Sequence, residues 1–371
     1  MTEDYICPVS LAGGTVHQWI PVARPRLPTA ENVFTLLREM DSRQVYSNRG
    51  PLVAELENLV ASHVNVDPNR VVACASATVG IFGAAAISPV EEFVAPSYTF
   101  PASILALKHA RKRTVLADIS PVTWQVDAPV LENQGRLRVI PFGGPICLET
   151  GEFAAPWVII DAAASLGSAH RDLSQLPGNA CVIFSLHATK VLGIGEGGAV
   201  VFGSIEASER FRSWISFGFQ GSRDSDLVGF NGKMSEISAA YGIAAFRGWD
   251  REQAEWVKAH SLARMVDDAL GIGSIVGEYP GVNPYWIVLL ESEEQVKQIE
   301  RNFSSQGIGT RRWWEGGCHR MPAFQDCHWS SLRQTDAIAS LSLGLPMFRG
   351  MGMAEVERIG MALEGILPGN G

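Results

Sequence analysis

One lysine, Lys190, stands in a segment that is apolar on one side and glycine-rich on the other: Cys181 to Phe202 reads CVIFSLHATKVLGIGEGGAVVF. Lysine is scarce in this chain, with six copies at positions 108, 112, 190, 233, 258 and 297, so arginine supplies most of the 30 basic side chains. Apolar surroundings disfavour the charged form of an amine and turn it into a nucleophile. The competing reading is a solvated lysine in a loop between strands, the usual fate of this residue.

A second candidate lies 29 residues upstream, where the run Pro156-Trp157-Val158-Ile159-Ile160 ends in Asp161. In a parallel sheet that position presents a carboxylate to a ligand, although aspartate there also serves as a helix cap. An acid at one strand end and a lysine beyond a neighbouring strand are what pyridoxal phosphate requires. The amine forms the Schiff base, and the carboxylate keeps the pyridine nitrogen protonated. A phosphate cradle is then expected nearby. Cys74-Ala75-Ser76-Ala77-Thr78 follows a strand and opens a helix, with small residues, hydroxyls and free N–H groups at a positive helix end, and Ser185 offers a further hydroxyl. Ordinary capping by Ser76 or Thr78 is the alternative use of the same residues. Gly193-Ile194-Gly195-Glu196-Gly197-Gly198 matches the dinucleotide fingerprint in letters only, because it leads into a strand instead of a helix. It reads as a tight turn after the lysine.

The elements that must position these groups follow from apolar patterning. Strands are predicted at Val71–Ala73, Glu92–Ala95, Thr114–Ala117, Arg138–Ile140, Trp157–Ile160, Cys181–Ser185 and Gly198–Phe202, with helices between them at Pro51–Val64, Thr78–Ile87 and Ala102–His109. This alternation predicts an α/β fold with a mostly parallel sheet flanked by helices, whose ligands sit at the carboxyl ends of the strands. After about Trp249 come a charged helix (Asp250–Leu270), a strand (Tyr285–Leu290) and helices at Glu293–Phe303 and Met353–Ile366, which read as a smaller α+β domain. The expected division is therefore 1–250 and 251–371, consistent with a length beyond what one core supports.

Composition limits the function classes. A net charge of −9 argues against a nucleic-acid binder, which needs a basic face. The acidic start MTEDYICPVS lacks the features of a secretory signal, and no apolar run approaches the roughly 18 residues of a membrane span. A soluble cytoplasmic protein is expected. The six scattered cysteines fit reduced thiols, and the pairs Cys318-His319 and Cys327-His328 lack metal-ligand spacing, so no metal site is expected.

Several segments, in order, resemble the DegT/DnrJ/StrS nucleotide-sugar aminotransferases, a branch of the fold type I pyridoxal phosphate enzymes. They are Tyr46–Leu52 (YSNRGPL), Ala75–Thr78, Ala95–Phe100 (APSYTF), Ala117–Ile119, Ile160–Ala163, Phe184–Lys190, Gly195–Ala199, Gly229–Met234 (GFNGKM), Gly307–Arg311 and Leu345–Met347. The resemblance implies a large cofactor-binding domain with a smaller C-terminal one. It implies Lys190 as the Schiff-base lysine, Asp161 as the pyridinium partner and Phe100 stacked on the cofactor ring. Ser76, Ala77, Thr78 and Ser185 would hold the phosphate, and Asn231 would reach the phosphate of the neighbouring subunit's cofactor in a homodimer. Three departures from the family pattern stand out: Ala77 replaces the usual Gly, Ala164 replaces a Gln that lies by the cofactor in relatives, and Pro141–Gly144 (PFGG) lacks a customary His.

The activity so implied is transfer of an amino group, with L-glutamate as expected donor, to a keto group at C3 or C4 of a nucleotide-diphosphate-linked 6-deoxy keto-sugar. Arg311, Arg312, Trp313, Trp314 and His319 form a basic and aromatic cluster suited to a diphosphate and a sugar or base. The same residues also suit a surface loop with snorkelling arginines. Three competing functions remain: a sugar dehydratase of the same fold, which carries His in place of the lysine; another fold type I enzyme such as an amino-acid aminotransferase or lyase; and a non-catalytic regulatory protein that binds the cofactor.

Overall fold

The computed structural model describes residues 19–129, 131–148, 153–168, 172–273, 281–364 and 366–367; the acidic start at 1–10 lies outside them. Seven strands of the first 202 residues build the central sheet: β1 (Val71–Cys74), β2 (Glu92–Pro96), β3 (Arg113–Ala117), β4 (Gln134–Val139), β5 (Val158–Asp161), β6 (Ala180–Ser185) and β7 (Gly198–Phe202). A two-residue strand, β9 (His328–Trp329), returns from the C-terminal third to the far edge, giving the order β1-β7-β6-β5-β4-β2-β3-β9. All neighbours from β6 to β9 run parallel, and β7 runs antiparallel to both β6 and β1.

Strands β1, β5, β6 and β7 are buried at every position, as expected of a sheet covered on both faces. Their side chains divide by the period of two. Val158, Ile160, Val182, Phe184, Ala199 and Val201 enter one apolar cluster, and Ile159, Cys181, Ile183, Val200 and Phe202 enter the other. One face is covered by α2 (Pro51–His63), α6 (Glu236–Arg247) and α7 (Trp249–Leu270), with α1 (Ala30–Arg43) packed on α6. The other is covered by α3 (Ala77–Ala86), α4 (Pro101–His109) and α5 (Ile205–Trp214).

A two-stranded antiparallel sheet pairs β8 (Trp286–Leu289) with β10 (Ser342–Leu345), beside α8 (Glu293–Ser305), α9 (Arg333–Leu341) and α10 (Met353–Glu364). We propose that the chain divides near residue 250, in the first turn of α7. Two features bind the parts together: β9 joins the large sheet, and one apolar cluster runs from Val158 through Trp286 to Leu363.

The expected strands recur to within a residue or two at their ends, except β4, which begins at Gln134, four residues early. Its opening residues are polar, and Gln134 is held by donating to Glu92 Oε1 at 2.6 Å. The short β9 and the β10 segment were not expected. Neither carries a long apolar run, and both are fixed by partners far away in sequence.

The start of α2 is capped from a distance. Gly50 stands at the N-cap with no side chain to offer, and the buried Glu236 accepts from the N–H groups of Leu52 (2.8 Å) and Val53 (3.1 Å). A Cβ at Gly50 would lie 2.7 Å from that carboxyl group, so glycine is what admits the cap. Glu236→Ala leaves two buried donors without an acceptor. It should lower the free energy of unfolding by about 2 kcal/mol in a denaturant titration.

Candidate active site

Parallel pairing brings the carboxyl ends of β2, β4, β5 and β6 to one edge of the sheet. The antiparallel β7 sets the end of β1 there too, since Cys74 and Ser185 both pair with Gly198. A Cβ on Gly198 would lie 2.6 Å from the Ala77 nitrogen, so this glycine lets the first turn of α3 sit against the sheet edge.

Asp161 closes β5 and is 7% exposed. Its Oδ2 accepts from Ser103 Oγ at 2.6 Å and its Oδ1 from the Ala163 N–H at 3.2 Å. Burial drives the carboxyl above the usual range, against the opposing pull of these two donors and the Lys190 charge. A buried carboxylate in this state lacks a cation within bonding distance.

Lys190 follows β6 on a loop folded back on itself. Leu186 and Ala188 donate to the carbonyls of Gly197 and Gly195, Ile194 donates back to Leu186, and Gly195 takes φ +104°, which a side chain would strain. This is the tight turn expected from the glycines. The Lys190 ammonium donates to the Tyr285 hydroxyl at 2.7 Å. Tyr285 precedes β8, and its own N–H donates to Asn283 Oδ1 at 3.0 Å.

At the start of α3 the N–H groups of Ala77 and Thr78 have no acceptor among the described residues, while Ser76 Oγ is occupied, accepting from Val79. Ser76 therefore caps the helix with its side chain, and the neighbouring backbone is open to an anion. Ser185 Oγ accepts from the His187 N–H at 3.2 Å and keeps its proton for another partner. Phe100 stands at the N-cap of α4, the helix that carries Ser103, and is 52% exposed. Asn231 is exposed and accepts from Lys233 Nζ at 2.6 Å, with that ammonium 4.2 Å from the centroid of Phe217.

The five residues of the basic and aromatic cluster separate. Trp313 and Trp314 join Tyr285 and Phe142: Trp314 stacks on Phe142 at 4.7 Å and Trp313 meets Tyr285 edge-on at 5.1 Å. Arg312 turns the other way, donating to both carboxylate oxygens of Glu300 at 2.9 and 2.7 Å. Arg311 lies 4.5 Å over the ring of Trp313. His319 is buried between Ser97 Oγ (2.8 Å from Nδ1) and Asp336 (3.2 Å from Nε2), where burial lowers its pKa. It ties the C-terminal segment to the end of β2. Among the described residues no group of three or more His, Cys, Asp or Glu is placed to hold a metal ion, and no helix is long and apolar enough to cross a membrane.

Ser103 and Tyr285 were not singled out from sequence, and Phe142 entered only as part of the PFGG departure. Ser103 sits three residues into a helix like any other serine, and Tyr285 is 95 residues from the lysine it touches. The departures are spatial neighbours: a Cβ on Gly143 would lie 2.8 Å from the Ala164 carbonyl oxygen and 2.6 Å from Asn283 Cβ.

These residues fit pyridoxal phosphate. Asp161 lacks the cation that a pyridinium provides, the open N–H groups of Ala77 and Thr78 suit a phosphate, Phe100 offers a bare ring face, and Lys190 supplies an amine. An α/β sheet with this set along its carboxyl edge defines a pyridoxal phosphate-dependent enzyme. The chain belongs to the DegT/DnrJ/EryC1/StrS aminotransferase family, whose pattern matches residues 29–134 and 153–364. It is a pyridoxal phosphate-dependent aminotransferase. It is 32% identical to Protein Rv3402c of Mycobacterium tuberculosis, over 95% of this chain and 91% of that one. It is 26% identical to the GDP-perosamine synthase of Caulobacter vibrioides, over 94% and 98% of the two chains. Among solved structures it is similar to DesI in the presence of its TDP-sugar product, with a TM-score of 0.83, 28% identity, and coverage of 95% of this chain and 94% of that one.

The raised pKa of Asp161 fixes a sign. Between its unfolded and folded values the folded state binds the extra proton, so the ionised carboxyl costs stability at neutral pH and the cost fades as pH falls. Asp161→Asn should raise the melting temperature of cofactor-free protein at pH 7, with the gain disappearing toward pH 4, while retention of the cofactor on gel filtration is lost.

Proposed function

We propose that the enzyme moves an amino group from L-glutamate to a keto group at C3 or C4 of a nucleotide-diphosphate-linked 6-deoxy keto-sugar, as a cytoplasmic homodimer. The observation that carries the site assignment is the pairing of the buried Asp161 with the Lys190 loop on adjacent strands β5 and β6, beside the open N-terminus of α3. The acceptor class is supported by the relatives, one named for GDP-perosamine and one captured with a TDP-sugar.

Bound pyridoxal phosphate supplies an electron sink and carries the amino group between the two substrates. Ala77, Thr78 and Ser185 donate to its phosphate, with Ser76 fixing the turn that aims them. Phe100 stacks on the ring, and Asp161 holds a proton on the ring nitrogen. Lys190 would be the amine that holds the cofactor and, when free, the general base and acid that moves a proton at the reacting carbon. Asn231 of each copy serves the cofactor phosphate held by the other, and Trp313, Trp314 and Arg311 face the acceptor. Arg312 and His319 are engaged with Glu300 and with Ser97 and Asp336.

Purified protein should be yellow, lose its visible band with L-glutamate, and regain it with one member of a panel of nucleotide keto-sugars. A coloured protein whose spectrum no amino donor changes would overturn the transfer reaction. Lys190→Ala should abolish the borohydride-reducible link to the cofactor and lower amination by about 10²–10⁴-fold or more.

A further inference from the structure

The Lys190 amine is held by a phenol. Among the described residues Tyr285 is the hydrogen-bond partner of Nζ, and no carboxylate lies within ion-pair distance. The nearby acid, Asp161, acts only through its charge. The difference in partner chemistry matters. A carboxylate accepts only, so it would stabilise the ammonium and oppose the neutral amine. A phenol accepts from an ammonium and donates to an unprotonated nitrogen, so the contact survives proton transfer in either direction.

Tyr285 is itself over-determined. Its N–H is tied to Asn283 Oδ1, and its ring meets Phe142 edge-on at 5.5 Å and Trp313 edge-on at 5.1 Å. Phe142 reaches it from a backbone of φ +53°, a left-handed conformation uncommon for a bulky residue. The next residue, Gly143, has φ +82° and lies against Ala164 and Asn283 so closely that a Cβ would meet both. The two departures, at 141–144 and at Ala164, thus form one support, with Tyr285 at its tip.

We propose that Tyr285 is a positioning residue that holds the Lys190 nitrogen through both of its protonation states, and that Phe142 and Gly143 hold Tyr285 in place for this purpose. The inference rests on the reading that Lys190 is the residue bonded to the cofactor.

A phenol O–H is a good donor and a weak acceptor, so its bond favours the unprotonated nitrogen. In holoenzyme with no donor or acceptor present, Tyr285→Phe should raise the midpoint of the pH titration of the visible cofactor band by about one unit, a tenfold change in the protonation equilibrium. An unchanged or lowered midpoint, with cofactor retained, overturns the proposal. Gly143→Ala keeps the phenol but displaces its support. The same titration should move in the same direction by a smaller amount, and this variant decides the question should the phenylalanine variant not fold. Borohydride reduction and peptide mapping of the wild-type protein separate the two readings. A link on another residue overturns both, and a link on Lys190 with an unmoved midpoint overturns this inference alone.

Discussion

The structure turns on the burial of one carboxylate at the end of a strand that is itself enclosed on both faces. Asp161 costs stability as an ionised group unless a cation is brought to it, and among the described residues none lies at bonding distance. The neighbouring β6 leads to the lysine, and β2, two strands away on the other side, leads to the serine on α4, at the same edge. Three pieces of chain remote in sequence thereby share one depth in the sheet. Under the proposed assignment, the cofactor's ring nitrogen would complete this electrostatic arrangement.

Much of the fold was legible because its signal is local. The buried strands of a doubly covered sheet are short unbroken apolar runs, and β5, β6 and β7 announce themselves through PWVII, CVIFS and GAVVF. Strands whose reason is a distant partner, such as β9 against β3, leave no such trace. The site divides in the same way. Lys190, Asp161 and the α3 turn stand at the ends of apolar runs, where chemistry is visible against the background. Ser103 and Tyr285 enter the site through contacts made across 58 residues or more that nothing in their own neighbourhoods marks, and Phe142, though it lies in the PFGG departure, gives no sign in sequence of its contact with Tyr285.

The C-terminal cluster shows the reverse failure. RRWW and His319 look like one binding patch, yet adjacent residues of an irregular segment point in different directions. Arg312 is drawn to the acids of α8, the indoles of Trp313 and Trp314 pack on Tyr285 and Phe142, and His319 is sealed in beside Ser97. Residue type predicted what these groups can do. Their partners decide which of them are available to do it.

The reversed strand β7 has a consequence for how the molecule is made. Among the described residues β1 hydrogen-bonds to no other strand, and its partner positions run from 198 to 201 while its own run from 71 to 74. During synthesis the helix start that follows β1 therefore waits for more than a hundred further residues, with an apolar strand edge unpaired. Closure of that long loop brings the first turn of α3 to the strand that follows the Lys190 loop in the same event. The sheet edge that gathers Asp161, Lys190 and the start of α3 is therefore complete only once β1 and β7 have paired across more than a hundred residues.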